Sequence, residues 1–175
     1  MAYRDHTKEQ VRDIAVTRLE NGHWTPGKIV SPDHWVLDAC PTNAAAVEAK
    51  GDHVAVSWFT AAAGKPRVEM AFSNDAGSSF TKATVLSTGQ AFGYTALAME
   101  DDGGAIVSWL ERSPEGAKVM VRRVTAAGVA GPAIEVAKGG KSALGYPKIF
   151  HHGSETFIAW GGPGQRVETA SLTAK

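Results

Sequence analysis

The chain has 175 residues, 43% of them hydrophobic, with 18 Lys plus Arg against 18 Asp plus Glu. This length predicts one domain with a real core, and the balanced charge excludes a broad basic surface for nucleic acid or for an anionic membrane. No apolar run approaches the ~20 residues of a membrane-spanning helix, and the first residues lack the apolar core of a secretory signal. A single cysteine, Cys40, excludes an internal disulfide framework and leaves the compartment open.

Strand-like segments follow one another along the whole chain. Residues 1–39 contain the tail of a second strand at Tyr3, a third strand opened by Arg12, and a fourth strand in "GKIVS". Residues 40–90 contain four strands, in "NAAAVEAKG", "HVAVSWFT", "RVEMAFS" and "TKATVLS". Residues 91–141 repeat the four in "YTALAMEDDG", "GAIVSWLERS", "KVMVRRV" and "PAIEVAK". Residues 142–175 contain the first three, in "YPKIFHHGS", "ETFIAW" and "RVETASL", and lack a fourth.

Equal spacing ties these segments into one repeat. Trp58, Trp109 and Trp160 recur every 51 residues, and Tyr3 takes the tryptophan place in the first copy. A basic residue opens the alternating third strand of each copy, and a glycine follows it after ten residues, at Gly22, Gly77 and Gly128. Four strands in about fifty residues are typical of a propeller blade. A β-sandwich also uses short strands and tight turns, but gives no reason for a constant 51-residue register.

The turn between the third and fourth strands of the second copy reads "SNDAGSSF". Its pattern of Ser73, Asp75, Gly77 and Phe80 resembles the Asp box, or BNR repeat, of sialidases and related propellers. In this interpretation Asp75 accepts hydrogen bonds from the turn, Gly77 takes the strained backbone position, and Phe80 plugs the space between strands. The first copy keeps only a shortened form, "ENGHW", and the third only Gly128.

Two further segments support the same resemblance. "YRDHTKEQVRDI" and "CPTN" look like segments of bacterial sialidase-like BNR proteins. The resemblance covers essentially the whole chain and matches about half of a six-bladed protein. It implies an all-β fold of four-stranded antiparallel blades, with Asp boxes at the blade periphery. It also implies an extracytoplasmic location for full-length relatives.

The strand count predicts that one copy of the chain does not close a ring. Joining the last copy of the repeat to the first gives three blades, and a propeller needs at least four. We therefore expect a six-bladed ring of two chains, a homodimer in which each last blade is completed by the partner's N-terminal strands. Two segments, Arg12–Leu19 and Arg166–Leu172, would then both be the third strand of the same blade, so one of them must lie outside the ring. A piece of a longer propeller is the competing explanation.

Candidate site residues lie where strands meet the loops of the binding face. Sialidases grip a substrate carboxylate with three arginines and use a Tyr–Glu pair and an Asp for bond breaking. The substrate-binding candidates by position are Arg4, Asp5, Arg12, Arg67 and Arg112. The catalytic candidates are Asp13, Tyr94 and Tyr146. The Arg-Ile-Pro motif of sialidases is absent, because His6 follows the "YRD" segment, and no full catalytic set can be assigned.

Three functions remain open from the sequence. The first is a non-catalytic propeller that binds a carbohydrate or a partner, the second an exo-α-sialidase, and the third a purely structural or protein-interaction propeller. We expect no cofactor and no metal. Adjacent His151 and His152 point to opposite faces of a strand, and "EDDGG" lacks the spaced oxygen ligands of a calcium loop.

Overall fold

In the computed structural model, which describes residues 1–139 and 144–173, the chain folds into antiparallel strands. No α-helix occurs in these two ranges, and so none in them is long and apolar enough to span a membrane. The strands are β1 (Ala2–Arg4), β2 (Ile14–Val16), β3 (Leu19–Glu20), β4 (His23–Trp24), β5 (Lys28–Ile29), β6 (Ala46–Lys50), β7 (His53–Thr60), β8 (Arg67–Ser73), β9 (Thr84–Val85), β10 (Gln90–Met99), β11 (Ala105–Ser113), β12 (Gly116–Val124), β13 (Ala130–Lys138), β14 (Lys148–His152), β15 (Glu155–Gly161) and β16 (Val167–Thr173).

These strands form four successive sheets. The first sheet has the order β1-β2-β5, the second β6-β7-β8-β9, the third β10-β11-β12-β13 and the fourth β14-β15-β16. A small hairpin, β3-β4, projects from the first sheet. Every pairing is antiparallel, which confirms the prediction of an all-β chain built from four-stranded antiparallel blades. Trp58, Trp109 and Trp160 lie in β7, β11 and β15, the second strand of their respective sheets.

Each inner sheet is buried on both faces, which explains the nearly continuous apolar runs of β7 and β11. In β7, Val54, Val56 and Trp58 pack against the first sheet, whereas Ala55 and Phe59 pack against the third. In β11 the alternation repeats, with one set of side chains facing the second sheet and the other the fourth. Three separate cores therefore lie between consecutive sheets, as stacking of blades requires and a two-layer sandwich does not.

The sheets fan out from their first strands. Strands β6, β10 and β14 approach one another, while the fourth strands β9 and β13 lie at the far edges of their sheets. Because the strands alternate in direction, the loops between second and third strands share one end of the molecule with the connections between sheets. We call this end the loop face. The turns after the first and third strands lie at the opposite end, which we call the turn face.

The structure differs from the sequence interpretation in several details. The alternating run that begins at Arg12 is a strand only from Ile14 to Val16, because the backbone amide of Arg12 instead donates to Trp35 O in the neighbouring connection. The hairpin β3-β4 was not predicted. Both competing third strands, β2 and β16, are paired within their own sheets. The boundary predicted between residues 141 and 142 lies outside the described residues, and closure of a ring by a second copy stays a prediction.

Candidate functional site

Arg4 is a structural residue of the loop face. Its guanidinium donates to the carbonyl oxygens of Arg12 (2.6 Å), Phe59 (2.8 Å) and Asn43 (3.2 Å), and it lies 4.9 Å from the ring centre of Trp35. Burial lowers its pKa to about 10, with Asp33 and Asp13 opposing the shift. Through these three carbonyl acceptors the Arg4 guanidinium connects the first sheet to the second.

Three further candidates form hydrogen bonds in the same loop, namely Arg12, Asp13 and Asp5. The buried Asp13 carboxylate accepts the backbone N–H groups of His34 (3.1 Å) and Trp35 (3.2 Å), one on each oxygen. Arg12 donates to Leu37 O at 3.1 Å and to the side chain of Gln10. The backbone N–H of Asp5 donates to Asp13 O. Asp13 therefore holds the connection between the first and second sheets, and both its oxygens are engaged.

Arg67 and Arg112 each contact a side chain of their own sheet. Arg67 forms an ion pair with Glu69 (2.7 Å), whose carboxyl has a pKa raised by burial although Arg67 opposes the shift. The guanidinium of Arg112 lies 4.7 Å from the ring centre of Phe92. No two of the four arginines on the loop face share a hydrogen-bond partner among the described residues. The structure thus brings Arg4, Arg12 and Asp13 together in one loop.

The aromatic rings of the two tyrosine candidates, Tyr94 and Tyr146, are in contact. Their rings are stacked with centroids 3.7 Å apart and planes 10° from parallel. Tyr94 sits on a bulge of β10 with φ 55°, directly after Gly93 with φ 89°, and its backbone N–H donates to Asn43 Oδ1 at 2.6 Å. A Cβ on Gly93 would lie 2.1 Å from that same Asn43 oxygen. Glycine at this position therefore permits the contact that aims Tyr94 at Tyr146.

The stacked pair borders a groove of about 450 Å³ that runs along the first strands of the second, third and fourth sheets. Tyr146 is 57% exposed, so one ring face is available beside the groove. The groove is lined by Thr42, Ala44, Ala45, Ala46, Val47, Tyr94, Thr95, Ala96, Leu97, Tyr146, Pro147, Lys148 and Ile149. Among the residues that the structure describes, Lys148 is the single charged residue of this lining, and no Asp or Glu belongs to it.

The carboxylate of Glu111, in β11, accepts hydrogen bonds from other groups of the chain. Oε1 of the buried Glu111 accepts the N–H groups of Thr88, Gly89 and the Trp109 indole, at 3.0, 3.2 and 2.9 Å. Within residues 1–139 and 144–173, no group of three or more His, Cys, Asp or Glu side chains could hold a metal ion. The groove thus offers aromatic and apolar surface, hydroxyl groups and one cation.

The two phenols of the stacked pair have different acidities. The Tyr94 hydroxyl lies 3.1 Å from Thr42 Oγ1, and hydrogen bonds from Thr42 and then from Tyr146 lower the pKa of Tyr94. The same contact with Tyr94 raises the pKa of Tyr146, because Tyr146 acts as the donor. The neutral Tyr94 phenol would need a carboxylate base to take its proton before it could act as a glycosidase nucleophile, and no carboxylate among the described residues lines the groove.

We expect Thr42→Val to raise the pKa of Tyr94 towards the ordinary tyrosine value of about 10, because the substitution removes the first of its two stabilising hydrogen bonds. NMR titration of the tyrosine ring carbons resolves each phenol. Thr95→Val is the matched control, since Thr95 also lines the groove but donates to Ser57 O. Equal titration curves for Tyr94 in the wild type and in Thr42→Val would contradict the assignment.

The Asp-box segment lies on the turn face, away from the groove. Ser73 Oγ donates to Asp75 Oδ1 (2.7 Å) and accepts the N–H of Gly77 (2.8 Å), and Asp75 also accepts the backbone and hydroxyl of Ser79. These hydrogen bonds, the Ser79 hydroxyl first, lower the pKa of Asp75 to about 2. Phe80 packs against the core between the first and second sheets. The segment organises a turn and supplies no group to the groove.

Sequence reasoning named both tyrosines but missed Asn43, Gly93, Thr42 and Lys148. Asn43 and Thr42 belong to the "CPTN" segment, which was noted only for its resemblance. Gly93, directly before Tyr94 inside an apolar strand, was the available signal, because an isolated glycine in a strand often marks a bulge. Nothing in the local sequence indicates that Lys148 shares a groove with Thr42.

Comparison with known proteins identifies the fold. The NanB sialidase of Streptococcus pneumoniae superposes with TM-score 0.52 at 12% identity, over 89% of this chain and 24% of that chain. An α-L-arabinofuranosidase of Clostridium thermocellum gives 0.53 at 10%, over 96% and 61%. The β-fructofuranosidase BmSUC1 of Bombyx mori gives 0.51 at 12%, over 99% and 42%. No protein-family model matches, and neither does any curated protein.

These similarities show a sialidase-like propeller fold, as the blade pattern and the Asp-box resemblance indicated, at low sequence identity. The chain spans 24% of the length of the sialidase structure. The fold alone assigns no activity, because one scaffold carries many functions.

Proposed function

We propose that this chain is a carbohydrate-binding propeller segment that does not hydrolyse its ligand. The observation that carries the proposal is the groove beside Tyr146, which combines an exposed aromatic face with a lining free of carboxylates. Ligand sites in proteins are concave, largely apolar, and carry a few polar groups that fix orientation. Sugar rings present an apolar C–H face and a polar rim, which match the Tyr146 ring and the surrounding hydroxyl groups.

The placement of the groove also supports the proposal. It lies along the innermost strands, where the small side chains of Ala44, Ala45 and Ala46 leave space for a ligand the size of a sugar ring. Stacking on Tyr94 restrains the Tyr146 ring before any ligand arrives, so that little side-chain entropy is lost on binding. Lys148 is exposed and has no ion-pair partner among the described residues. This unpaired cation favours a glycan that bears a carboxylate or a sulfate.

The same residues support the proposed absence of hydrolysis. Glycoside hydrolysis needs two carboxyl groups, or a tyrosine with a carboxylate base, on the two sides of the scissile bond. Asp13 has both oxygens in hydrogen bonds to backbone N–H groups, and Glu111 accepts three donors on one oxygen. Neither carboxylate lines the groove. Three of the arginine candidates, Arg4, Arg12 and Arg67, donate hydrogen bonds to other groups of the chain.

A glycan array followed by calorimetry on each hit tests binding. We expect Tyr146→Ala to weaken binding by about tenfold or more, since aromatic stacking contributes about 0.5–1.5 kcal/mol beyond the buried area. Tyr146→Phe keeps the ring and should retain most of the affinity. Phe157→Ala, which removes an exposed aromatic side chain outside the groove, is the matched control and should bind as the wild type does.

A second arm separates binding from catalysis. Incubation with a fluorogenic sialoside should release no fluorophore above the buffer background. Turnover that disappears in Tyr94→Phe would contradict the proposal and support the sialidase alternative. An array without hits, measured on protein that unfolds cooperatively, would instead favour a purely structural or protein-interaction role.

A further inference from the structure

Two acidic side chains meet between the first and second sheets. Glu69, in β8, pairs across the strands with Trp58, so both side chains lie on the face of the second sheet that packs against the first. Asp33 belongs to the connection between these two sheets, residues 30–45, and its Oδ2 accepts the Trp58 indole N–H at 2.8 Å. The carboxyl group of Glu69 is within hydrogen-bonding reach of Asp33. The two carboxyl groups therefore face each other beside a buried indole.

One oxygen atom of this pair has no hydrogen-bond donor. Glu69 is 6% exposed, and its Oε1 accepts the Nε–H of Arg67 at 2.7 Å, whereas the buried Oε2 accepts no hydrogen bond among the described residues. An ionised carboxyl group can only accept hydrogen bonds, so two ionised groups in contact would repel each other here. A single proton between them converts the contact into an O–H···O⁻ hydrogen bond, which is short and strong.

Charged groups from each of the packed elements surround the pair. Arg67 directs its Nη1 to two carbonyl oxygens of the segment between β7 and β8, at 3.2 and 3.4 Å. The first sheet and its loop bring Arg4, Arg12 and Asp13, and Arg4 donates to three carbonyl oxygens. Within the part of the chain that the structure describes, none of these guanidinium groups donates to Asp33. The contact between the two carboxyl groups therefore has no donor other than a proton of its own.

The electrostatics of the pair favour retention of this proton. Burial raises the pKa of Glu69, the hydrogen bond from Arg67 opposes the rise, and the negative charge of Asp33 adds to it. A carboxyl group whose pKa is higher in the folded than in the unfolded chain binds its proton more tightly when folded. The stability that this proton contributes is therefore complete below the ordinary glutamate pKa of 4.5, and it is lost as the pH rises through the raised pKa.

We propose that Asp33 and Glu69 share one proton, and that this shared proton holds the connection between the first and second sheets against β8. Release of the proton leaves two like charges in contact at a site closed to water, and the repulsion weakens the attachment of the connection. The pair is thus a pH-sensitive contact between two blades. This inference is independent of the glycan-binding proposal, because neither carboxyl group lines the groove.

Urea denaturation of the wild type and of Glu69→Gln, from about pH 4 to about pH 8, tests the shared proton. The glutamine amide donates a hydrogen bond without titrating, so this variant keeps the contact at every pH. We expect the unfolding equilibrium constant of the wild type, divided by that of Glu69→Gln, to rise above pH 4.5 with a slope of up to about tenfold per pH unit and then to level off. A ratio that stays constant over this range overturns the proposal.

Two further variants separate a shared proton from burial of Glu69 alone. Asparagine in Asp33→Asn still accepts the Trp58 indole N–H, and its amide donates to an ionised Glu69. We expect Asp33→Asn to remove at least half of the wild-type pH dependence on a logarithmic scale, and a smaller reduction contradicts sharing. Glu135→Gln removes an exposed glutamate that pairs with Lys118, and as the matched control it should keep the wild-type dependence.

Carbon-13 NMR of the side-chain carboxyl groups locates the proton in the wild-type protein, so the test does not depend on a variant that folds. The titration of Glu69 should have its midpoint above pH 4.5 and should appear at the carboxyl carbon of Asp33 as well, because one proton lies between the two groups. The Trp58 indole N–H resonance should shift with the same midpoint, since the indole donates to Asp33. A Glu69 titration that neither Asp33 nor the Trp58 indole reports overturns the proposal.

Discussion

Replacement of Trp109 with alanine is expected to lower the free energy of unfolding by about 3–5 kcal/mol, the typical cost of removing a large buried aromatic side chain. Trp109 is fully buried in the core between the second and third sheets. Its indole N–H donates to Glu111 Oε1 at 2.9 Å, and the same oxygen accepts the backbone N–H groups of Thr88 and Gly89. The substitution therefore creates a cavity and also removes one of three donors from a buried carboxylate.

Urea denaturation followed by circular dichroism measures this effect. Trp109→Phe keeps most of the apolar volume and should lose less stability than Trp109→Ala, with the remaining loss assigned to the indole hydrogen bond. Phe157→Ala removes a 45% exposed aromatic side chain and is the matched control, with an expected change within about 0.5 kcal/mol. Equal midpoints for Trp109→Ala and Phe157→Ala would mean that the inter-sheet core does not hold the blades together.

Substitution of Gly93 by alanine is expected to destabilise the chain by about 2–5 kcal/mol and to weaken glycan binding. A side chain at φ 89° is strained by about 1–2 kcal/mol, and loss of a buried hydrogen bond adds about 1–3 kcal/mol. The added Cβ would lie 2.1 Å from Asn43 Oδ1 and 2.9 Å from Phe59 Cβ, so Asn43 must move away from the backbone N–H of Tyr94. Tyr94 then no longer supports the Tyr146 ring.

The variant Gly51→Ala separates the effect of backbone strain from the effect of displacing the Asn43 side chain. Gly51 also has a positive φ, of 59°, but no atom lies within 4 Å of an added Cβ. We therefore expect Gly51→Ala to show the strain alone, with normal affinity for glycans found by the array. Thermal unfolding and calorimetry on both variants provide the comparison. Full glycan affinity in Gly93→Ala would show that Tyr146 does not depend on the bulge.

The sequence determined the architecture of each blade. The 51-residue spacing of the tryptophans and the alternating third strands were sufficient to predict four-stranded antiparallel units, because strand faces follow directly from a period of two. The positions of Tyr94 and Tyr146 at the start of first strands also followed from the repeat, and the structure places both at the groove. The six-bladed dimeric ring that the strand count suggested stays a prediction.

Only the tertiary structure decided which side chains meet. Arg4 and Arg12 are substrate-binding candidates and Asp13 is a catalytic candidate in the sequence, and the structure shows the side chain of each hydrogen-bonded to backbone groups of other segments. The sequence carries no record of such pairings, because they join residues up to 55 positions apart through loop paths that no local periodicity encodes. The groove arises in the same way, from the spacing between sheets. Strand periodicity determines which side chains lie on each face of a sheet, whereas the stacking of the sheets determines which of these side chains remain exposed to solvent.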